Sequence, residues 1–137
     1  MVIVAINGNM LGGGTYNLLK KSMDASALRS KVIANNLANI NTKNYKKFYV
    51  TFEDKLNDSM GKNTLKTDNS KHMQTGGSSG DITVEKDEST SMRQDGNNVD
   101  IDVEMTNQAA NTLMFNALVT QVNSKILLTN YIISGGK

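Results

Sequence analysis

The chain contains no cysteine, no proline and no tryptophan. Without cysteine there is no disulfide, no thiolate metal ligand and no cysteine nucleophile, and the redox state of the compartment places no constraint on the chain. One histidine, His72, is too few for a paired metal site or a proton relay. Aromatic residues make up 5% of the 137 residues and mean hydropathy is -0.39, so the chain has the length of one ordinary domain but only a modest core. The net charge of +2 is spread along the chain rather than massed, which argues against a nucleic-acid partner. No apolar run approaches the roughly 20 residues that span a bilayer. The apolar start, Met1 to Ile6, has no basic lead and soon meets Asn7-Gly8-Asn9, so no cleavable signal peptide is expected.

What the chain does have is asparagine in an unusual place. Asn35, Asn36 and Asn39 sit among Ile33, Leu37 and Ile40 at the end of an amphipathic segment. Asparagine competes with the backbone for hydrogen bonds and is a poor helix-interior residue. Keeping three of them there points to amides that fix how something docks, and so to assembly rather than chemistry.

The punctuation of the sequence divides it into a tail over 1–14, a helix over 15–42, a middle segment over 43–99, a second helix over 100–134 and a short tail over 135–137. Three glycines at 12–14 cost too much backbone entropy to continue a helix, and Thr15 is a candidate N-cap. Leu19, Met23, Ser26, Ser30, Ile33, Leu37 and Ile40 form a heptad-spaced seam, widened by Leu18, Ala25, Leu28 and Val32. Arg29 falls inside this apolar arc, where its stem can run out to water. Phe48, Val50 and Phe52 alternate, as either a short strand or a turn entering a short helix with Leu56 and Met60. Ile82 and Val84 suit one short strand, in a polar stretch marked by Gly76-Gly77-Ser78-Ser79-Gly80. Asp95-Gly96-Asn97-Asn98 reads as a turn, and Asp100, Asp102 and Glu104 place negative charge at the start of the second helix. The fold expected is mainly α: two long terminal helices pairing as a coiled coil, with an irregular middle that has room for one or two short β-strands.

The second helix is apolar on two sides. Phe115, Leu118, Val119, Val122, Ile126 and Ile133 make an arc suited to the first helix, while Ala110, Met114, Ala117, Leu128 and Ile132 lie nearly opposite. Asn116, Asn123 and Asn130 repeat every seven residues along one boundary, as either a register device or a solvated row. The second arc is either an interface or the seat of the folded-back middle segment.

A search for chemistry finds no constellation. His72 stands in polar loop sequence. Asp100, Asp102 and Glu104 lack the glycine and distal glutamate of a calcium loop, and Gly12-Gly13-Gly14-Thr15 lacks the lysine of a phosphate loop. Asn57-Asp58-Ser59 matches a glycosylation acceptor, a pattern short enough to recur by chance. No catalytic, cofactor-binding or metal residue is assigned and no enzyme activity is expected.

Ala34, Asn35, Asn36, Leu37, Ala38, Asn39, Thr42, Tyr45 and Lys46, with Arg29 upstream, resemble the N-terminal signature of bacterial flagellar rod and hook proteins. Lys43-Asn44 departs from the usual Pro-Gly of that signature, although asparagine is the best non-glycine residue for a left-handed turn. Leu65, Thr67, His72, Ser91 to Arg93, Asp95 to Asp100 and Glu104-Met105 are most similar to the proximal-rod members of the basal-body rod family. The resemblance implies a structural subunit, exported by the flagellar type III apparatus without cleavage, that self-assembles through its terminal helices into a torque-transmitting tube crossing the periplasm. Implied partners are copies of itself, other rod proteins, and membrane-ring and export-gate components, with no nucleic acid and no small-molecule substrate. The assembly interface is expected at Arg29, Asn35, Asn36, Asn39 and Tyr45 after the first helix, and at Met114, Asn116, Asn123, Leu128, Asn130 and Ile132 on the second. The alternative is a soluble helical adaptor or chaperone-like module that holds a partner on the same apolar strip.

Overall fold

The computed structural model describes residues 13–54, 56, 81–89 and 93–135. His72, Asn57-Asp58-Ser59 and the glycine-rich loop at 76–80 lie outside the described residues. Helix α1 spans Gly13–Ala38, strand β1 Phe48–Thr51, strand β2 Thr83–Lys86, and helix α2 Ile101–Ile133. The protein is mainly helical, and among the described residues its middle holds one small two-stranded antiparallel sheet.

The two helices run antiparallel, because Ser26 bonds Asn111, Ser30 bonds Gln108 and Asn36 bonds Glu104. Along α2 the residues turned away from water are Glu104, Gln108, Asn111, Phe115, Leu118, Val122, Lys125 and Thr129, in alternating steps of four and three, with Val119 beside them. The seam is polar at the end nearest the sheet and apolar over Phe115 to Val122. On α1, Ser26, Ser30 and Asn36 face α2, while Asn36 and Arg29 also reach β1 and the residues after it. That second set of neighbours explains why the row beside the seam, Ala25 and Val32, is buried as well.

Helix α1 starts two residues earlier than the glycines suggest, at Gly13. Its first turn has no intrahelical N–H bonds to lose, so glycine is tolerated there better than in the interior. At its other end the chain tightens after Ala38, with Ile40 N–H bonding Leu37 O and Thr42 N–H bonding Asn39 O. Helix α2 is capped by Asp100, whose carboxylate accepts from the N–H groups of Asp102 and Val103. It ends at Gly135, where φ of 71° costs an L side chain but not glycine.

Phe48 to Thr51 pair with Lys86 to Thr83 in register, Val50 against Val84. Of the two readings of this segment the strand holds, and a helical turn follows, with Leu56 N–H bonding Phe52 O. Val50 and Phe52 enter the core with Ile33, Val32 and Val99, whereas Phe48 and Tyr49 remain exposed.

Two expectations for α2 are corrected. Ile126 and Ile133, assigned to the arc facing α1, are 38% and 64% exposed. The pairs 26–111 and 30–108 place roughly residue 124 level with Gly13, so about nine residues of α2, near 14 Å at 1.5 Å per residue, run past the first described turn of α1.

Candidate assembly joint

The joint between α1, the sheet and α2 is centred on Asn36, which is fully buried. Its amide Nδ2 donates to Phe48 O at 2.8 Å and to Glu104 Oε2 at 3.0 Å. Its Oδ1 accepts from Phe48 N–H at 3.0 Å and from the Tyr45 hydroxyl at 3.2 Å. An asparagine side chain offers two donors and two acceptor sites, and here every one is used. Toward β1 the amide behaves as a strand would, exchanging both backbone bonds of Phe48.

The turn leaving α1 is held by three more asparagines. Asn39 Nδ2 donates to Asn35 O, and Thr42 Oγ1 donates to Asn39 Oδ1. Asn44 takes the left-handed conformation with φ of 60°, keeping the turn despite Lys43-Asn44 in place of Pro-Gly, and its N–H bonds Asp95 O. Asn97, fully buried, points Nδ2 at the carbonyls of Asn39, Ile40 and Thr42, each at 3.0 Å, and caps the open end of α1. Its Oδ1 accepts from Val99 N–H at 2.7 Å. Asn98 ties the ends of the two strands together, accepting from Lys47 N–H and donating to Asp87 O. The segment 95–100 thus does more than turn the chain: it locks the exit of α1 and the sheet to the start of α2.

Charge sits around this core. Arg29, half-buried, donates from Nη2 to both carboxylate oxygens of Glu53, at 2.7 and 2.9 Å, a charge-assisted contact that pins α1 to the turn after β1. Burial, with the Glu104 carboxylate adding to it, pushes the Tyr45 phenol above its usual range, so it stays a neutral donor to Asn36. Hydrogen bonds from Ser89, its backbone N–H first, hold the Asp87 carboxyl below the usual carboxylate value, with Lys47 3.5 Å away contributing less. Among the described residues no group of three His, Cys, Asp or Glu could hold a metal ion.

Of the residues expected at the interface, Arg29, Asn36, Asn39 and Tyr45 come together at this joint, each bonded within the chain. Asn35 stands apart with its side chain exposed. Met114, Asn116, Asn123, Leu128, Asn130 and Ile132 are all exposed on α2. Sequence reasoning missed Asn97, Asn98, Glu104, Ser26 and Asn111 as members of the site. For Glu104 and Asn111 a signal existed, since both fall on the four-three row that continues through Phe115 and Leu118. For Asn97 and Asn98 the signals were their place in a turn and in the stretch Asp95 to Asp100 that carries the family resemblance, neither of which names a bonding partner.

A helical hairpin locked by side-chain amides, with polar rungs in its seam, defines a structural protein whose work lies in its surfaces. A family model described as flagella basal body rod protein matches residues 22–46, which run from the middle of α1 through the Asn36 and Tyr45 joint. The chain is also 35% identical over 128 residues to flagellar basal body rod protein FlgB of Bacillus subtilis (strain 168), covering 93% of this chain and 98% of that protein. The chain belongs to the flagellar basal body rod protein family. It is a structural protein of the bacterial flagellum, and its family is not one of enzymes.

Proposed function

We propose that the chain is a proximal-rod subunit that self-assembles through its helices and transmits motor torque, contacting other rod proteins and the membrane-ring and export-gate components at the rod base. It is exported by the flagellar type III route without signal cleavage and takes its place in the rod crossing the periplasm. The observation that carries this reading is the outer surface of α2, where Leu127, Leu128, Tyr131, Ile132 and Ile133 are each 59% to 68% exposed. Burying a large apolar side chain is worth about 1.5–3 kcal/mol, so five together hold enough to drive association. Met114 continues the strip toward the joint, and Asn116, Asn123 and Asn130 set its register. Arg29, Asn36, Asn39 and Tyr45 serve the interface indirectly by fixing the angle at which α2 is presented, with Asn35 exposed beside them.

Leu128→Asp tests the reading. It introduces a charge at an exposed position, so the monomer folds and is exported, but the chain is lost from purified basal bodies and the cells do not swim. Motile cells with the variant in their basal bodies would overturn it. An adaptor using the same strip would be found in the cytosol and be missing from basal bodies even as the parent chain.

A further inference from the structure

We propose that the groove between α1, β1 and α2 is a socket for a lysine or arginine side chain of another rod subunit, whose cationic end pairs with Glu104; this rests on the rod-subunit reading. The groove has a volume of about 310 Å³, with Val32, Ile33, Val50 and Met114 among its walls. Glu104 lines it and is 4% exposed. Its carboxylate receives one side-chain hydrogen bond, from Asn36 Nδ2 to Oε2, and none reaches Oε1 from the described residues. No buried side-chain oxygen or nitrogen among those residues is both sealed from solvent and without a partner, so Oε1 keeps its access through the groove.

A carboxylate can accept about four hydrogen bonds, and one held in a largely apolar setting with a single neutral donor is costly until a cation reaches it. The nearby cation does not meet that need. Arg29 lines the same groove, but its Nη2 donates to both carboxylate oxygens of Glu53, at 2.7 and 2.9 Å, and it makes no hydrogen bond to Glu104. Apolar walls above an acidic floor match a long methylene stem with a positive tip, which is what lysine and arginine offer. The groove also opens beside Ala110 and Met114, so a helix lying on the outer strip of α2 can send such a side chain into it.

The test uses the full chain in flagellated cells. Glu104→Gln keeps the size of the side chain and an oxygen to accept from Asn36 while removing an unpaired charge, so the purified variant should match the parent in helix content and equal or exceed it in Tm. Its amount in purified basal bodies should fall by about tenfold or more, as loss of one member of a buried charge pair gives. A photo-crosslinking residue at Asn107, exposed at the groove, should trap a rod subunit at a segment with a Lys or Arg within about four residues, one helical turn. Should Glu104→Gln fail to fold, Ala110→Trp, at an exposed position, fills the groove from its rim and should give the same loss. Parental incorporation of a folded variant, or crosslinks to a segment without a basic residue, would overturn the socket. Absence of the parent chain from basal bodies would instead overturn the rod-subunit reading.

Discussion

Gly96 lies so close to Asn44 that a Cβ built on it would collide with Asn44 Oδ1, and both residues hold positive φ, 81° and 60°. The two bends face each other where the exit of α1 meets the entry to α2, joined by the bond from Asn44 N–H to Asp95 O at 2.9 Å. The Asn44 side chain fills the space that any side chain at 96 would need.

Gly96→Ala should therefore lose about 1–3 kcal/mol of stability, from strain at positive φ and displacement of Asn44. Asn44→Gly, which relieves the strain at 44, should change stability by less than about 1 kcal/mol. Urea unfolding of the full chain measures both, and equal effects from the two substitutions would show that the contact does not matter.

Asn36→Leu, close in size, strips partners from Phe48 N–H and C=O, the Tyr45 hydroxyl and Glu104 in one step. With an unsatisfied buried polar group costing about 1–3 kcal/mol, the total should reach at least about 3 kcal/mol. Amide exchange at Phe48 should accelerate more than exchange at the centre of α2. A loss below about 1 kcal/mol would mean that water replaces the amide without penalty.

The raised phenol of Tyr45 gives an alkaline signature. Because its folded pKa lies above the unfolded value near 10.0, its contribution is complete below that pH and is lost as pH rises through the folded value. Tyr45→Phe should be less stable than the parent at neutral pH, and the gap should narrow above pH ~10. Unfolding curves at several pH values decide it, and a gap that widens with pH would contradict the assignment.

Much of the helical plan was legible in the sequence because it rests on spacing. The seam through Ser26, Ser30 and Ile33 follows from the heptad row, and the left-handed Asn44 follows from the chemistry of asparagine where glycine is usual. Asn36 announced itself as an oddity, a polar residue among Ile33, Leu37 and Ile40, but its partners could not be read. Phe48 is twelve residues away and Glu104 sixty-eight, and no local pattern encodes such pairings. Glu104 shows the difficulty most clearly. Its position after Asp100 and Asp102 suits the helix dipole, which hides the fact that its side chain turns inward. Ile126 and Ile133 misled in the other direction, since periodicity gives a broad apolar arc but not which row of it turns inward, and at that end of α2 the half-buried positions are Lys125 and Thr129.

Thr51 and Thr83, the last paired residues of the small sheet, bring their hydroxyls within 2.7 Å of each other. The chain that leaves β1 thus comes back to where it set out, and its two ends are held fixed by the Asn36 and Asn98 amides behind them. The sheet is in effect a doorway whose posts stand where the joint between α1 and α2 puts them, so the gap between Thr51 and Thr83 is set by that framework and not by the chain strung between them.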